Sequence, residues 1–213
     1  MPQRDRRYVV VEGPIGVGKT TLARLLAERQ GADLLLEDPG ENPFLANFYQ
    51  DRRRWALATQ LFFLFQRVNQ ISRLKQLDLF ARPTVADFLF DKDPLFAQLN
   101  LLDEELALYQ RIHQHLSPQV PTPDLVIYLQ APIDTLMARV RKRAAQFERA
   151  IDEQYIAALA EAYGRFFHDY SAAPLLIVNS RNLNFVDRPH DFDLLLRRIS
   201  EMRGPREFFN LGV

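Results

Sequence analysis

Residues 8–31, YVVVEGPIGVGKTTLARLLAERQG, decide how the rest of the chain is read. Tyr8 to Val11 is a run of β-branched and aromatic residues, the composition of a buried strand. The run stops at Gly13-Pro14-Ile15-Gly16-Val17-Gly18-Lys19-Thr20. Beyond it Leu22, Leu25 and Leu26 recur at helical spacing until Gly31 ends the helix. Strand, glycine-rich loop and helix thus follow in the order that the spacing G-x-x-x-x-G-K-[ST] needs to cradle phosphates. Glycines let successive backbone N–H groups turn inward toward phosphate oxygens, and the positive end of the following helix faces the same anion. Lys19 then reaches the outer phosphates, and the Thr20 hydroxyl is placed to hold magnesium. Gly13, Gly16 and Gly18 are three of only eight glycines in the chain, so backbone freedom is concentrated where a phosphate would sit. Binding of a nucleoside triphosphate follows.

Composition narrows what else the chain can do. With 213 residues, 47% of them hydrophobic, it is long enough to bury a full core, and residues 1–213 are read as a single domain. Lys and Arg balance Asp and Glu at 27 each, so no global field exists to hold a nucleic acid polymer or an acidic membrane. A small diffusible substrate fits that balance better. Cysteine is absent, which excludes disulfides and thiolate metal sites and is compatible with a reducing compartment. The opening MPQRDRRY is basic, but the apolar run before Glu12 is too short for a signal-peptide core. No run approaches the roughly 18 apolar residues of a membrane helix. A cytoplasmic protein is expected.

Working outward from the loop, short strands alternate with longer helices. Leu34-Leu35-Leu36 reads as a second strand ending at Glu37-Asp38-Pro39, where Pro39 forbids a helix from continuing. Glu37 then stands at the carboxyl edge where open α/β sheets bind ligands. Residues 43–80 read as mostly helical with a break near Asp51. Within WALATQLFFLFQRVNQISRL, Gln60 and Arg67 are seven apart and share nearly one face. Such a pair is able to read the edge of a base, or to form a solvated strip. Residues 83–86 read as the third strand with Asp87 at its end, a carboxylate suited to magnesium or to a hydroxyl proton. FDKDPLF opens a helix capped near Asp93 with Pro94 in its first turn. Residues 103–116 read as another helix, with His113 and His115 as surface residues on different faces. SPQVPTP reads as a loop, 124–129 as the fourth strand and 175–178 as the fifth, followed by the loop NSRNLNFVDRP and a last helix through about Arg203. Arg139 and Arg143, i and i+4 in the most basic local cluster, share one face while Arg141 points away. In a phosphoryl-transfer enzyme that pair would clamp the migrating group.

Five parallel strands alternating with helices and opened by a phosphate loop predict a three-layer α/β sandwich with helices on both faces. The pattern resembles the deoxynucleoside kinase family over nearly the whole chain. The segments that carry the resemblance are GPIGVGKT, the LLLEDP and NPF block, the Tyr49, Trp55, Gln60 and Arg67 spacing, FDKDPLF, and RVRKRAAQFE before a tyrosine-rich helix. The resemblance implies transfer of the ATP γ-phosphoryl group to the 5′-hydroxyl of a deoxynucleoside, with magnesium held by Thr20 and Asp87. It implies Glu37 as general base, Tyr49 and Glu148 on the 3′-hydroxyl, Gln60 paired with the base, Phe96 stacked on it, and Arg139 and Arg143 over the ATP phosphates from a helical lid near 139–150. Gly13, Pro14, Ile15, Gly16, Val17, Gly18, Lys19 and Thr20 would form the ATP loop. The resemblance also implies a homodimer, as does an aromatic helix around Phe62, Phe63 and Phe65 with more apolar surface than one face needs.

One departure stands out. The family ends its third strand with a carboxylate followed by Arg and Ser, whereas this chain has Ala86-Asp87-Phe88. The arginine that orients the reacting hydroxyl is missing, and Lys92 or the lid would have to take its place. A family lid arginine is likewise replaced at Ala145. Arg67 paired with Asp91 or Asp93 would present a donor–acceptor edge that favours deoxyadenosine or deoxyguanosine. Two other readings of the phosphate loop are a thymidylate kinase-like monophosphate kinase and a regulatory NTPase switch. The first lacks an acceptor-phosphate arginine beside the third strand, and the second leaves the residues between loop and lid unexplained.

Overall fold

The computed structural model describes residues 6–76, 82–116, 120–143, 145–185 and 187–211. Its centre is β1 (Tyr8–Glu12), buried along its whole length. Around it stand β2 (Asp33–Leu35), β3 (Thr84–Ala86), β4 (Leu125–Gln130), β5 (Leu175–Asn179) and β6 (Arg206–Asn210), in the order β2-β3-β1-β4-β5-β6 with every pairing parallel. The chain moves to one side of β1 for β2 and β3, then to the other for β4. That reversal opens a crevice at the carboxyl ends of the central strands.

Successive residues of a strand face opposite sides, and β1 shows what each side meets. Val9 and Val11 pack with Leu22 and Leu26 of α1 (Lys19–Gln30) and with Leu195 and Ile199 of α8 (Pro189–Glu201). Tyr8 and Val10 pack instead with Leu95 of α4 (Asp93–Asn100) and with Tyr163 and Phe167 of α7 (Glu153–Asp169). A sheet apolar on both faces needs cover on both, and these helices supply it. The remaining helices are α2 (Leu45–Gln50), α3 (Arg52–Gln76), α5 (Asp103–Leu116) and α6 (Ile133–Arg143). The break expected near Asp51 is the junction of α2 and α3. The parts of the expected elements at 77–80, 117–119, 144 and 186 lie outside the described residues. Among the described residues no helix is long and apolar enough to cross a membrane.

Three expectations need correction. The sheet has six strands rather than five. β6 escapes a search for apolar runs because Arg206-Glu207-Phe208-Phe209-Asn210 is an edge strand, with Phe208 66% exposed and charges at its start. The helix after residue 92 is not capped by Asp93, which is already helical, Lys92 holding the cap position. The Asp93 carboxylate faces inward to buried partners instead. His113 is not a surface residue: it is half-buried, its ring stacked 5.4 Å from that of Phe90, and burial lowers its pKa.

Candidate active site

The loop between β1 and α1 is shaped by what surrounds it. A Cβ on Gly13 would lie 2.4 Å from the Leu129 carbonyl oxygen of β4, and one on Gly16 would lie 2.7 Å from that of Leu136 on α6. Only residues without side chains let the loop approach that closely. Gly18 caps α1 in a left-handed conformation without any side-chain hydrogen bond to the first turn, so a ligand is able to satisfy its N–H groups. Lys19 Nζ donates to the Gly13 carbonyl at 2.8 Å. Burial and the nearby Lys92 lower its pKa, while Glu12, Glu37 and Asp87 pull the other way.

The expected carboxylates meet beside this loop. Thr20 Oγ1 donates to Asp87 Oδ2 at 2.6 Å, and the Glu37 backbone N–H donates to Asp87 Oδ1 at 2.8 Å. Strands β2 and β3 are paired in register, which brings the residues just past their ends together. Burial and the Glu37 charge raise the pKa of Asp87, against the hydrogen bonds it accepts. Burial would also raise Glu37, but the Arg67 guanidinium, with Lys92 and Lys19, outweighs it and holds the carboxyl down to about 2. Arg67 Nε donates to Glu37 Oε1 at 2.6 Å, and Nη2 reaches the same oxygen.

Gln60 and Arg67 form no solvated strip: both are buried in a polar cluster that lines a cavity of about 510 Å³. Arg67 Nη1 pairs with Asp93, which accepts from Tyr109 as well, and Gln60 Nε2 donates to the Asp93 backbone carbonyl at 3.2 Å. Asp93, left open alongside Asp91 by the sequence, is therefore the partner of Arg67. Phe96 enters the same cavity and sets its ring edge-on to Tyr163, 6.1 Å between centroids. Tyr49 lines the cavity too, its ring centroid 6.2 Å from that of Tyr155 and its hydroxyl pKa driven well up by burial.

Arg143, Ala145, Phe147 and Glu148, from the end of α6 and the residues after it, line the same cavity. Arg143 forms a two-pronged pair with Glu148, which also lines the cavity. Arg139 turns its guanidinium onto the loop and its neighbours, donating to the Val17 carbonyl at 3.1 Å and the Ser180 carbonyl at 2.9 Å. Arg141 is exposed. A second concavity of about 670 Å³ lies beyond, lined by Gly16, Gly18, Arg139, Arg143, Arg181 and Arg188 among others. The two cavities share Gly16, Thr21 and Arg143, so they meet over the phosphate loop.

Sequence reasoning passed over Glu12. It is fully buried, accepts from Gly13 N, Leu89 N and the Tyr163 hydroxyl at 2.9, 2.7 and 3.0 Å, and forms an ion pair with Lys92 Nζ at 2.8 Å. An acid interrupting a buried apolar strand was the available signal. Tyr109 and Tyr163 carried none, since aromatic residues at helical spacing read as ordinary core.

A family model described as deoxynucleoside kinase matches residues 9–202. Deoxyguanosine kinase of Bacillus subtilis (strain 168) is 30% identical over 200 residues, covering 92% of this chain and 97% of the relative. Deoxyadenosine kinase of Lactobacillus acidophilus is 29% identical over 219 residues, covering 96% and 99%. In fold, the chain is similar to the deoxyadenosine kinase of M. mycoides solved with bound dCTP. That match has a TM-score of 0.76 at 21% identity and covers 92% of this chain and 100% of that one.

Proposed function

Because the chain belongs to the deoxynucleoside kinase family, and so is an ATP-dependent phosphotransferase, we propose how its residues carry the reaction and which base it prefers. The observation behind the reading is the single cavity that runs from Lys19 and Thr20 past Glu37 and Asp87 to Gln60, Arg67 and Phe96. A nucleoside lying along it would have its base at the polar cluster and its 5′-hydroxyl at the loop. The attacking 5′-oxygen forms a bond to the γ-phosphorus of ATP, the bond from that phosphorus to the β,γ-bridging oxygen breaks, and ADP leaves. Glu37 takes the hydroxyl proton. Lys19 and the loop N–H groups hold the phosphates, and Arg143 stands between the two cavities to meet the migrating group. Arg139 braces the loop from the ATP side. Tyr49 and Glu148 hold the 3′-hydroxyl, Gln60 pairs with the base and Phe96 stacks on it.

Thr20 and Asp87 offer the hard oxygen ligands that magnesium prefers, and Asp87 is a buried carboxylate whose charge a cation would balance. Held by Thr20 and Asp87, magnesium would supply positive charge to offset that of the ATP phosphates.

Purine deoxynucleosides are the preferred acceptors in this reading. The paired donors of Arg67 and the acceptor of Asp93 support it, and relatives named deoxyguanosine and deoxyadenosine kinase agree. Apolar side chains on two packed helices, Phe65 on α3 and Leu108 on α5, are 49% and 48% exposed, which supports a homodimer. A cytoplasmic location belongs to the same reading. The test is ADP formation from ATP and magnesium with each deoxynucleoside, each ribonucleoside, thymidylate and no acceptor. Stimulation by deoxyadenosine or deoxyguanosine is expected; equal ADP release without acceptor would overturn the reading.

A further inference from the structure

Glu37 has two oxygens in unlike surroundings. Oε1 accepts a hydrogen bond from Arg67 Nε and stands in ion-pair contact with its Nη2. Among the described residues no hydrogen bond reaches Oε2, and the cation facing it is the Lys92 ammonium at 3.8 Å, beyond hydrogen-bond length. That ammonium is itself fixed. Lys92 is 1% exposed, and its Nζ lies 2.8 Å from Glu12 Oε1. Glu12 in turn is immobilised by two backbone N–H groups and the Tyr163 hydroxyl. Phe96 covers the ammonium from the cavity side, its ring centroid 5.4 Å away.

We propose that Lys92 is a positioning residue of the transfer step, anchored by Glu12 so that it orients the proton-accepting oxygen of Glu37 without occupying it. The distance carries the argument. At 3.8 Å an ammonium in a low-dielectric site still attracts a carboxylate strongly. It leaves the lone pair of Oε2 open to the acceptor hydroxyl, whereas a lysine free to close to about 2.8 Å would compete with that hydroxyl for it. Glu12 prevents that closure by holding Lys92 on its far side. In the transfer the hydroxyl proton passes to Oε2 as the new oxygen–phosphorus bond forms, and Lys92 neither gains nor loses a proton. The inference rests on the kinase reading and adds to it a cation where Phe88 follows the third-strand carboxylate.

The competing account is that Lys92 merely neutralises a buried Glu12. Lys92→Met alone cannot separate the two, since it strands that carboxylate and endangers folding. The double variant Glu12→Gln, Lys92→Met removes both charges together and leaves the buried site neutral. Steady-state kinetics of the full chain should show kcat lowered about 10- to 100-fold, a share of what a general base supplies. KM for deoxynucleoside and for ATP should each stay within about twofold, because neither residue is assigned to hold the base, the 3′-hydroxyl or the phosphates. A double variant with kcat within about threefold of the native enzyme would show that Lys92 only balanced Glu12, and would overturn the proposal. A kcat loss matched by a rise in KM for ATP would put the damage in the loop behind Glu12 and would overturn it as well. A native chain that phosphorylates no deoxynucleoside would defeat the kinase reading itself, and this inference with it.

Discussion

Arg67→Met should be the most destabilising single change in the site. Arg67 is 4% exposed at its side chain and, among the described residues, is the one cation in direct contact with both Glu37 and Asp93, themselves 14% and 0% exposed. Removing it takes the ion-pair partner from buried Asp93 and leaves Glu37, among the described residues, only the more distant Lys92, and breaking a buried pair from one side costs about 3–5 kcal/mol. Glu37 gives an independent figure. Its fall from an ordinary 4.5 to about 2, against the cost of burial, corresponds to ~3 kcal/mol of stabilisation of the charged form, to which Arg67 contributes first, followed by Lys92 and Lys19. Asp93→Asn should cost far less, about 1–2 kcal/mol, because Arg67 keeps Glu37 and the amide still accepts from Tyr109. Urea unfolding followed by circular dichroism, with Trp55 as the single tryptophan reporter, measures both. For a chain of this size the Arg67→Met loss appears as a fall in Tm of about 6–20 °C.

The pH dependence of that loss carries a definite sign. A carboxyl with a depressed folded pKa contributes fully above its unfolded value and loses the contribution as pH falls through the folded one. The gap between native protein and Arg67→Met should therefore be widest above pH 4.5 and close progressively toward pH 2. A loss below about 1 kcal/mol at neutral pH, or one equalled by Asp93→Asn, would refute the view that Arg67 holds two buried charges.

Glu37→Gln should leave ATP binding intact and lower kcat by about 10²–10⁴-fold; an unchanged turnover would remove Glu37 as the base. Tyr49→Phe should cost about 1 kcal/mol, or roughly fivefold in kcat/KM, on a deoxynucleoside and almost nothing on its 2′,3′-dideoxy analogue. Equal losses on the two substrates would count against the contact with the 3′-hydroxyl. Gly16→Ala places a Cβ 2.7 Å from the Leu136 carbonyl at a positive φ of 84°. Strain of about 1–3 kcal/mol, relieved by moving the loop, should raise KM for ATP about tenfold while the nucleoside KM stays put.

Much of the molecule was legible from residue order. A strand that ends in glycines and a lysine before a helix has few alternatives, because the backbone conformations at Gly13 and Gly16 exclude side chains and the apolar periodicity changes at the loop. Glu37 and Asp87 were legible for a related reason: each stands one or two residues past an apolar run, and parallel strands deliver all such positions to one edge of the sheet. Gln60 was singled out by its helical spacing from Arg67. Tyr49, Phe96 and Glu148 were reached through resemblance, and the structure gathers all four around one cavity.

What stayed hidden were the relations between residues distant in sequence. Nothing in the order of residues says that Glu12 lies 2.8 Å from Lys92, 80 positions away in the numbering, or that Tyr163 from α7 completes its hydrogen bonds. Asp93 read locally as a helix cap, and a buried arginine overrode that local preference because an unpaired buried charge costs more than an unmade cap. β6 was hidden because an edge strand needs only one apolar face. Local periodicity and backbone sterics therefore determined five of the six strands, the loop and the two carboxylates just past β2 and β3. Tertiary packing decided which cation serves which carboxylate, since that choice depends on distances and burial that only the assembled sheet and helices create.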